Sequence, residues 1–227
     1  DHRDLHSFPT RRSSDLFSIY AMDRRGRGES GDATTYAIER EFEDVAVVVN
    51  SLGPTSDLLG HSYGAICSLE AALFTPDLRR LVLYEPPIPV EGVPIYSPGI
   101  IEHLESLSAA GHHGKVLTTF LTEVVRMPPH ELEIIQKASA WQARVAVAHT
   151  LPRELRAHER YRFKPERFKN FKVPTLLLLG GDSPVFFKAA IDLLNAALPG
   201  SRVVVLPGQQ HIAMETAPEL FVGEVLR

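Results

Sequence analysis

The stretch Asp57-Leu58-Leu59-Gly60-His61-Ser62-Tyr63-Gly64 joins a short apolar run to a helical pattern. In the pattern that follows, Ile66, Leu69 and Leu73 share one helix face. A strand, a sharp turn and a helix in this order present the hydroxyl of the turn serine as a nucleophile. We predict that Gly60 and Gly64 are required for steric reasons. The turn forces Ser62 into a sparsely allowed backbone region, and side chains at positions 60 and 64 would collide with the neighbouring strand and helix.

The candidate base is His211. A serine hydroxyl is a weak nucleophile near neutral pH, so Ser62 requires a base and a group that orients the base. The apolar run 202–206 predicts a strand, and the loop after it carries His211 before Pro218 opens a terminal helix. Carboxyl ends of parallel strands meet at one edge of a sheet, so we expect His211 to lie near Ser62.

Two carboxylates compete for the role of the acid. The apolar run 174–179 predicts a buried strand, and Asp182 lies in the turn directly after it. Glu85 follows the shorter predicted strand 81–84. We predict Asp182 as the acid, in the chain order Ser, acid, His, and Glu85 is the alternative. Asp182 also fits a plain turn residue, because Asp before Ser-Pro favours turns.

With these residues in this order, the chain resembles the α/β-hydrolase superfamily over residues 17–227, in its branch of cofactor-free serine esterases and related acyl hydrolases. The resemblance implies an α/β fold with a mostly parallel sheet flanked by helices. The stretch 23–30 is similar to the Asp-x-Arg-Gly-x-Gly-x-Ser loop of many such proteins, and it follows a predicted strand at 17–22. Its arginines therefore indicate a structural loop rather than a nucleic-acid patch.

Residues 86–160 contain no strand-like run and begin with closely spaced prolines, which carry the chain away from a sheet. The resemblance implies an all-helical cap here, inserted between core segments 17–85 and 161–227. Apolar cap residues fit either a substrate pocket or packing between cap helices: Leu117, Phe120, Leu121 and Trp141. Helices are predicted at about 99–110, 115–126, 129–148 and 152–160.

Residues 1–16 resemble one translated frame of a short-read sequencing adapter, and we expect them to be a non-native artefact. A complete superfamily member carries further strands upstream, so we expect N-terminal strands to be missing and the 17–22 strand to be displaced or separated from its neighbour. The upstream segment also supplies one of two oxyanion amides, the other being that of Tyr63. Loss of such a donor costs about a hundredfold to a thousandfold in rate, so this chain is expected to be weakly active or inactive.

Composition excludes several classes of protein. The formal net charge is −4 and the pI is about 6.2, which gives no basic field for nucleic acid. No apolar run reaches the roughly 18–20 residues that cross a bilayer. Cys67 is the single cysteine, which favours a reducing compartment, and we expect the cytoplasm. A signal peptide upstream of a missing native N-terminus stays open.

These residues together predict a serine hydrolase acting on an ester or related acyl bond of a small molecule through an acyl-enzyme. We expect no cofactor and no metal, although the pair His112-His113 invites a metal interpretation, because ligands at suitable spacing are lacking. The same triad serves C–C bond hydrolases, perhydrolases and acyltransferases, which stay open. A non-catalytic homologue that binds a ligand is a further alternative. Substrate and oligomeric state stay open.

Overall fold

The computed structural model describes residues 17–227, and the predicted artefact at 1–16 lies outside them. Four strands form one parallel sheet in the order β1-β2-β3-β4. Their bounds are Asp57–His61, Arg80–Tyr84, Thr175–Gly180 and Ser201–Leu206. Each coincides with a predicted apolar run, and β3 is buried along its whole length, as expected for a strand covered on both faces.

The α-helices alternate with the strands and also fill the long segment between β2 and β3. Helices α1 to α4 are Ile38–Leu52, Tyr63–Ala71, Ile100–Ala109 and His113–Thr119. Helices α5 to α7 are Pro129–Lys137, Trp141–Ala146 and Leu151–Arg160. Helices α8 to α10 are Val185–Ala197, Ala213–Thr216 and Pro218–Val225.

Three sequence-based elements need correction. The strand predicted at 17–22 is not formed, because this segment has no regular structure; its expected separation from a neighbouring strand is confirmed, since no described strand supplies it with ladder hydrogen bonds. The helix predicted at 129–148 is broken, since Ala138 takes an extended backbone with ψ 143° and ends α5. The helix predicted at 115–126 changes at Phe120 into a short π-helix.

The chain divides into two compact units. The sheet unit comprises Thr35–Ile95 and Ala157–His211, and the helical unit comprises residues 17–34, Tyr96–Arg156 and Ile212–Arg227. The division into a core at 17–85 and 161–227 and a cap at 86–160 stays a prediction.

The sheet unit buries an apolar core around the helix that follows the serine. Helix α2 is buried from Ala65 to Ala71, and its carboxylate Glu70 is only 1% exposed. Both Glu70 oxygens have partners, because the Tyr161 hydroxyl donates to one at 2.6 Å and Arg167 to the other at 2.5 Å. Burial, reinforced by the Glu70 charge, raises the pKa of Tyr161. This satisfied polar cluster fixes α2 beneath the serine turn.

The helical unit has its own apolar core. Leu117 and Leu121 are buried in it, and Phe120 and Trp141 pack against it, as the packing interpretation of these residues requires. No helix within residues 17–227 is long and apolar enough to cross a membrane.

The loop 23–32 is held by charged side chains of the helical unit. Arg27 donates to both oxygens of Glu154 at 2.8 and 2.9 Å. Gly28 has φ +55°, and a Cβ there would overlap the Asp23 carboxylate. The glycine and the ion pair support the structural role that the loop motif indicated.

Candidate active site

Ser62 occupies the sharp turn between β1 and α2. Its φ is 56°, a left-handed value that a non-glycine residue adopts only under constraint, and its amide donates to the Tyr84 carbonyl at 2.9 Å. A Cβ at Gly60 would lie 2.6 Å from the Ala65 Cα, which confirms the steric reason for this glycine. The same reason is wrong for Gly64, because apart from its chain neighbours and the backbone of its own helix no atom of the described residues lies within 4 Å of a Cβ built there.

The predicted base is buried and hydrogen-bonded to a carboxylate. His211 is 5% exposed, and its Nδ1 lies 2.6 Å from Oε2 of Glu85, which is fully buried. A carboxylate oxygen accepts, so Nδ1 carries the proton when the ring is neutral. The lone pair of the neutral ring is therefore on Nε2, which is the arrangement that a general base requires.

Hydrogen bonds fix both oxygens of the Glu85 carboxylate. Glu85 directly follows β2, its φ is 47°, and its Oε1 accepts from the Gly180 amide at 2.7 Å. Both carboxylate oxygens thus have a partner, which a buried charge needs. Gly180 also lacks the Cβ that would lie 2.5 Å from the Gln209 carbonyl oxygen. The loop 207–211 that carries His211, here called the base loop, can therefore approach the end of β3 closely.

The structure does not bring Asp182 to His211, as its choice as the acid required. Asp182 is exposed in the turn after β3, and within residues 17–227 the carboxylate that meets His211 Nδ1 is that of Glu85. The physical reason is direction: Glu85 points into the buried edge of the sheet, whereas the side chain of Asp182 stays in solvent. Asp182 instead contributes its amide, which donates to Gln209 at 3.0 Å.

The base loop is tied to three strand ends through three consecutive carbonyl groups. The carbonyl of Gln209 accepts from the amide of Asp182, which follows β3. The carbonyl of Gln210 accepts from the hydroxyl of Tyr84, the last residue of β2. The carbonyl of His211 lies 2.8 Å from Nε2 of His61, the last residue of β1.

Two aromatic rings pack against the base. Phe187 stacks on the His211 ring with centroids 4.5 Å apart and planes 19° from parallel, and the His61 ring also lies 4.5 Å away. Within residues 17–227, Ser62 Oγ and His211 make no hydrogen bond with each other.

A chain of hydroxyl groups that no sequence motif indicated reaches Tyr63, the residue after Ser62. Tyr36 donates to Glu41 at 2.6 Å, and its oxygen lies 2.8 Å from the Tyr63 hydroxyl. Because the single Tyr36 proton is directed to Glu41, Tyr63 must be the donor to Tyr36. Tyr63 begins α2, so its side chain is anchored where its amide belongs to the first helical turn.

His158 supports the loop that carries Glu85. It is 1% exposed, and its Nε2 donates to the Pro87 carbonyl at 2.6 Å. Burial lowers the pKa of His158 to about 4, against a weaker opposing effect of that hydrogen bond. His158 is therefore neutral near pH 7, and neither its burial nor its role was visible in the sequence.

In residues 17–227, no group of three or more His, Cys, Asp and Glu side chains is arranged to hold a metal ion. The pair His112-His113 lies at the start of α4, where His113 packs against the ring of His149.

The parallel sheet and the serine turn define a protein of the α/β hydrolase fold. A model of the alpha/beta hydrolase family matches residues 2–224, and the chain belongs to this family. Family membership and hydrolase-named relatives support an enzyme.

Two curated relatives match the chain. It is 28% identical over 225 residues to a 2-(acetamidomethylene)succinate hydrolase from Mesorhizobium japonicum, covering 92% of this chain and 77% of the relative. It is 35% identical over 107 residues to an N-formylmaleamate deformylase from Pseudomonas putida, covering 45% of this chain and 40% of the relative. Among solved structures, an alpha/beta hydrolase from Sphaerobacter thermophilus is 37% identical with a TM-score of 0.72, covering 88% of this chain and 80% of that one.

Proposed function

We propose that this protein is a serine hydrolase that cleaves an ester or related acyl bond of a small molecule through an acyl-enzyme. Ser62 is the nucleophile, His211 the base and Glu85 the acid. The observation that carries the proposal is the buried 2.6 Å contact between Glu85 and His211 Nδ1, beside a serine held at φ 56°.

The chemistry follows from the hydrogen bonds of the base. His211 Nε2 takes the proton of the Ser62 hydroxyl as its oxygen attacks the carbonyl carbon, and it then delivers that proton to the leaving group. Glu85 stabilises the imidazolium that forms between these steps. Water, activated by the same Nε2, then attacks the acyl-enzyme and releases the acid. Serine and histidine supply both nucleophile and proton transfer, so the proposal uses no cofactor.

The Tyr63 amide is the proposed oxyanion donor. It belongs to the first turn of α2, where the partial positive charge of the helix favours a developing negative charge. The hydroxyl contact from Tyr63 to Tyr36 restrains the same residue.

The names of the two curated relatives favour a particular acyl bond as a second candidate. One is named for an acetamido compound and the other for removal of a formyl group from an N-formyl compound. An acyl group carried by nitrogen is therefore a candidate substrate beside an ester. C–C cleavage, perhydrolysis and acyl transfer remain the alternatives within this fold, since the fold alone does not separate them.

A substrate panel separates these candidates. p-Nitrophenyl esters of increasing acyl length, assayed beside formyl and acetyl anilides, compare the two kinds of acyl bond directly. Faster turnover of the short anilides than of the matched esters would assign the nitrogen-bound acyl group. A single burst of released nitrophenol without turnover would instead favour a ligand-binding homologue.

The nucleophile is tested with Ser62→Ala and a fluorescent fluorophosphonate probe. We expect loss of labelling and loss of the ester turnover that the unaltered chain shows, because the attacking oxygen is gone. Ser106→Ala, an exposed serine of α3, is the matched control and is expected to label like the unaltered protein. Undiminished labelling of Ser62→Ala would overturn the proposed function.

A further inference from the structure

His61 connects the nucleophile to the base. It is covalently bonded to Ser62, and its Nε2 lies 2.8 Å from the carbonyl oxygen of His211. A carbonyl oxygen only accepts, so Nε2 of His61 must carry a proton and donate it. The side chain before the nucleophile thus holds the main chain of the base.

We propose that His61 is a positioning residue that sets the separation of Ser62 and His211 for proton transfer. The inference rests on the proposed function, since it assigns Ser62 and His211 their roles. The path from Ser62 to His211 through His61 is one peptide bond, one side chain and one hydrogen bond. Of the three hydrogen bonds that hold the base loop, this is the one whose donor residue is directly bonded to Ser62.

The other two tethers of the base loop start elsewhere. Tyr84 holds the carbonyl of Gln210 and precedes Glu85, and the Asp182 amide holds the carbonyl of Gln209 from the turn after β3. These two bonds orient the base loop toward the acid and toward β3. The His61 bond alone among the three connects it to the residue that must deliver a proton to Nε2.

The distance between Ser62 Oγ and His211 Nε2 matters for proton transfer, because the two residues make no direct hydrogen bond within the described structure. A displacement of about 1 Å in a reacting group can cost on the order of a hundredfold in rate. We therefore expect loss of the hydrogen bond from His61 to the His211 carbonyl to slow the attack by Ser62 more than it weakens substrate binding.

The experiment compares three substitutions of His61. His61→Phe keeps an aromatic ring against His211 but removes the donor. His61→Gln places an amide N–H near the position of Nε2, and His61→Asn places it one bond short. His103→Phe, at an exposed position of α3, is the control for an added phenylalanine.

The measured quantities are the rate of fluorophosphonate labelling, kcat and KM for a p-nitrophenyl ester, and the melting temperature. We expect His61→Phe and His61→Asn to lower the labelling rate and kcat by about 10- to 100-fold with KM changed less than about threefold. We expect His61→Gln to stay within about fivefold of the unaltered protein.

Two results would overturn the proposal. One is labelling of a folded His61→Asn at the unaltered rate. The other is equal loss in all three variants in step with their melting temperatures, which would make His61 a packing residue only. If His61→Phe does not fold, the comparison of Gln with Asn decides. Failure of the proposed function is distinguishable, because Ser62→Ala would then label normally.

Discussion

The loops that follow β2 and β3 each carry one acidic residue, and they use it differently. After β2, Glu85 is fully buried with both oxygens hydrogen-bonded, one of them to the base. After β3, Asp182 has an exposed side chain, and its amide supports the base loop. Two carboxylates at strand ends on one edge of a sheet thus have separate tasks, which depend on side-chain direction and burial.

Local turn chemistry is therefore a poor guide to which carboxylate meets the candidate base. The turn after β3 fits a catalytic loop in sequence, yet the same Asp-Ser-Pro pattern is satisfied by a turn alone. The loop after β2 is distinguished by backbone strain and burial rather than by its sequence. Glu85 has φ 47°, and buried His158 donates to the carbonyl of Pro87.

Glu85→Gln tests the task proposed for the buried carboxylate after β2. The Gly180 amide needs an acceptor, so the glutamine oxygen is expected to face Gly180 and its NH₂ group to face His211 Nδ1. Nδ1 then becomes the acceptor, the proton moves to Nε2, and the base is lost. We expect kcat to fall on the order of 10⁴-fold, measured by ester turnover.

Circular dichroism and thermal melting serve as the control for this variant. A folded Glu85→Gln with kcat within tenfold of the unaltered protein would contradict the assignment of Glu85. It would return Asp182 to consideration as the acid.

The pH dependence of stability tests the burial of His158 beside the loop after β2. His158 has its pKa lowered from 6.5 to about 4, so the unfolded chain binds its proton more readily between these values. Stability from this group is present above pH 6.5 and is lost as pH falls toward 4. We expect His158 to account for about 3 kcal/mol of lost unfolding free energy over that interval, measured by urea unfolding at several pH values.

His158→Gln keeps a donor toward the Pro87 carbonyl and removes the titration. The slope of unfolding free energy against pH should be shallower in this variant between pH 6.5 and 4. Equal slopes in both proteins would show that His158 does not titrate as its burial implies.

The smallest effect is expected for Asp182→Asn. The substitution keeps the amide that supports the base loop and changes only an exposed carboxylate. We expect kcat and KM within about threefold of the unaltered protein, since surface substitutions away from buried networks are usually near neutral. A loss approaching that of Glu85→Gln would show that the exposed carboxylate takes part in catalysis.

Much of the fold was predictable from the sequence because apolar periodicity is a local property. All four strands, the helix after the serine and the helix opened by Pro218 coincide with predicted runs. The segment 17–22 forms no strand because a strand is stable only with a partner, and its separation from a neighbouring strand was expected from the missing upstream strands. The break at Ala138 likewise has no strong local signal, as alanine favours helix.

Local sequence was enough to predict the serine turn, the candidate base and the alternation of strands and helices, because each depends on neighbours within a few residues. Long-range contacts placed Glu85 rather than Asp182 against His211, and they placed His61 against the carbonyl of His211. These contacts join residues 126 and 150 positions apart. Their geometry depends on strand register and burial, which pairing across the sheet sets and no local pattern encodes.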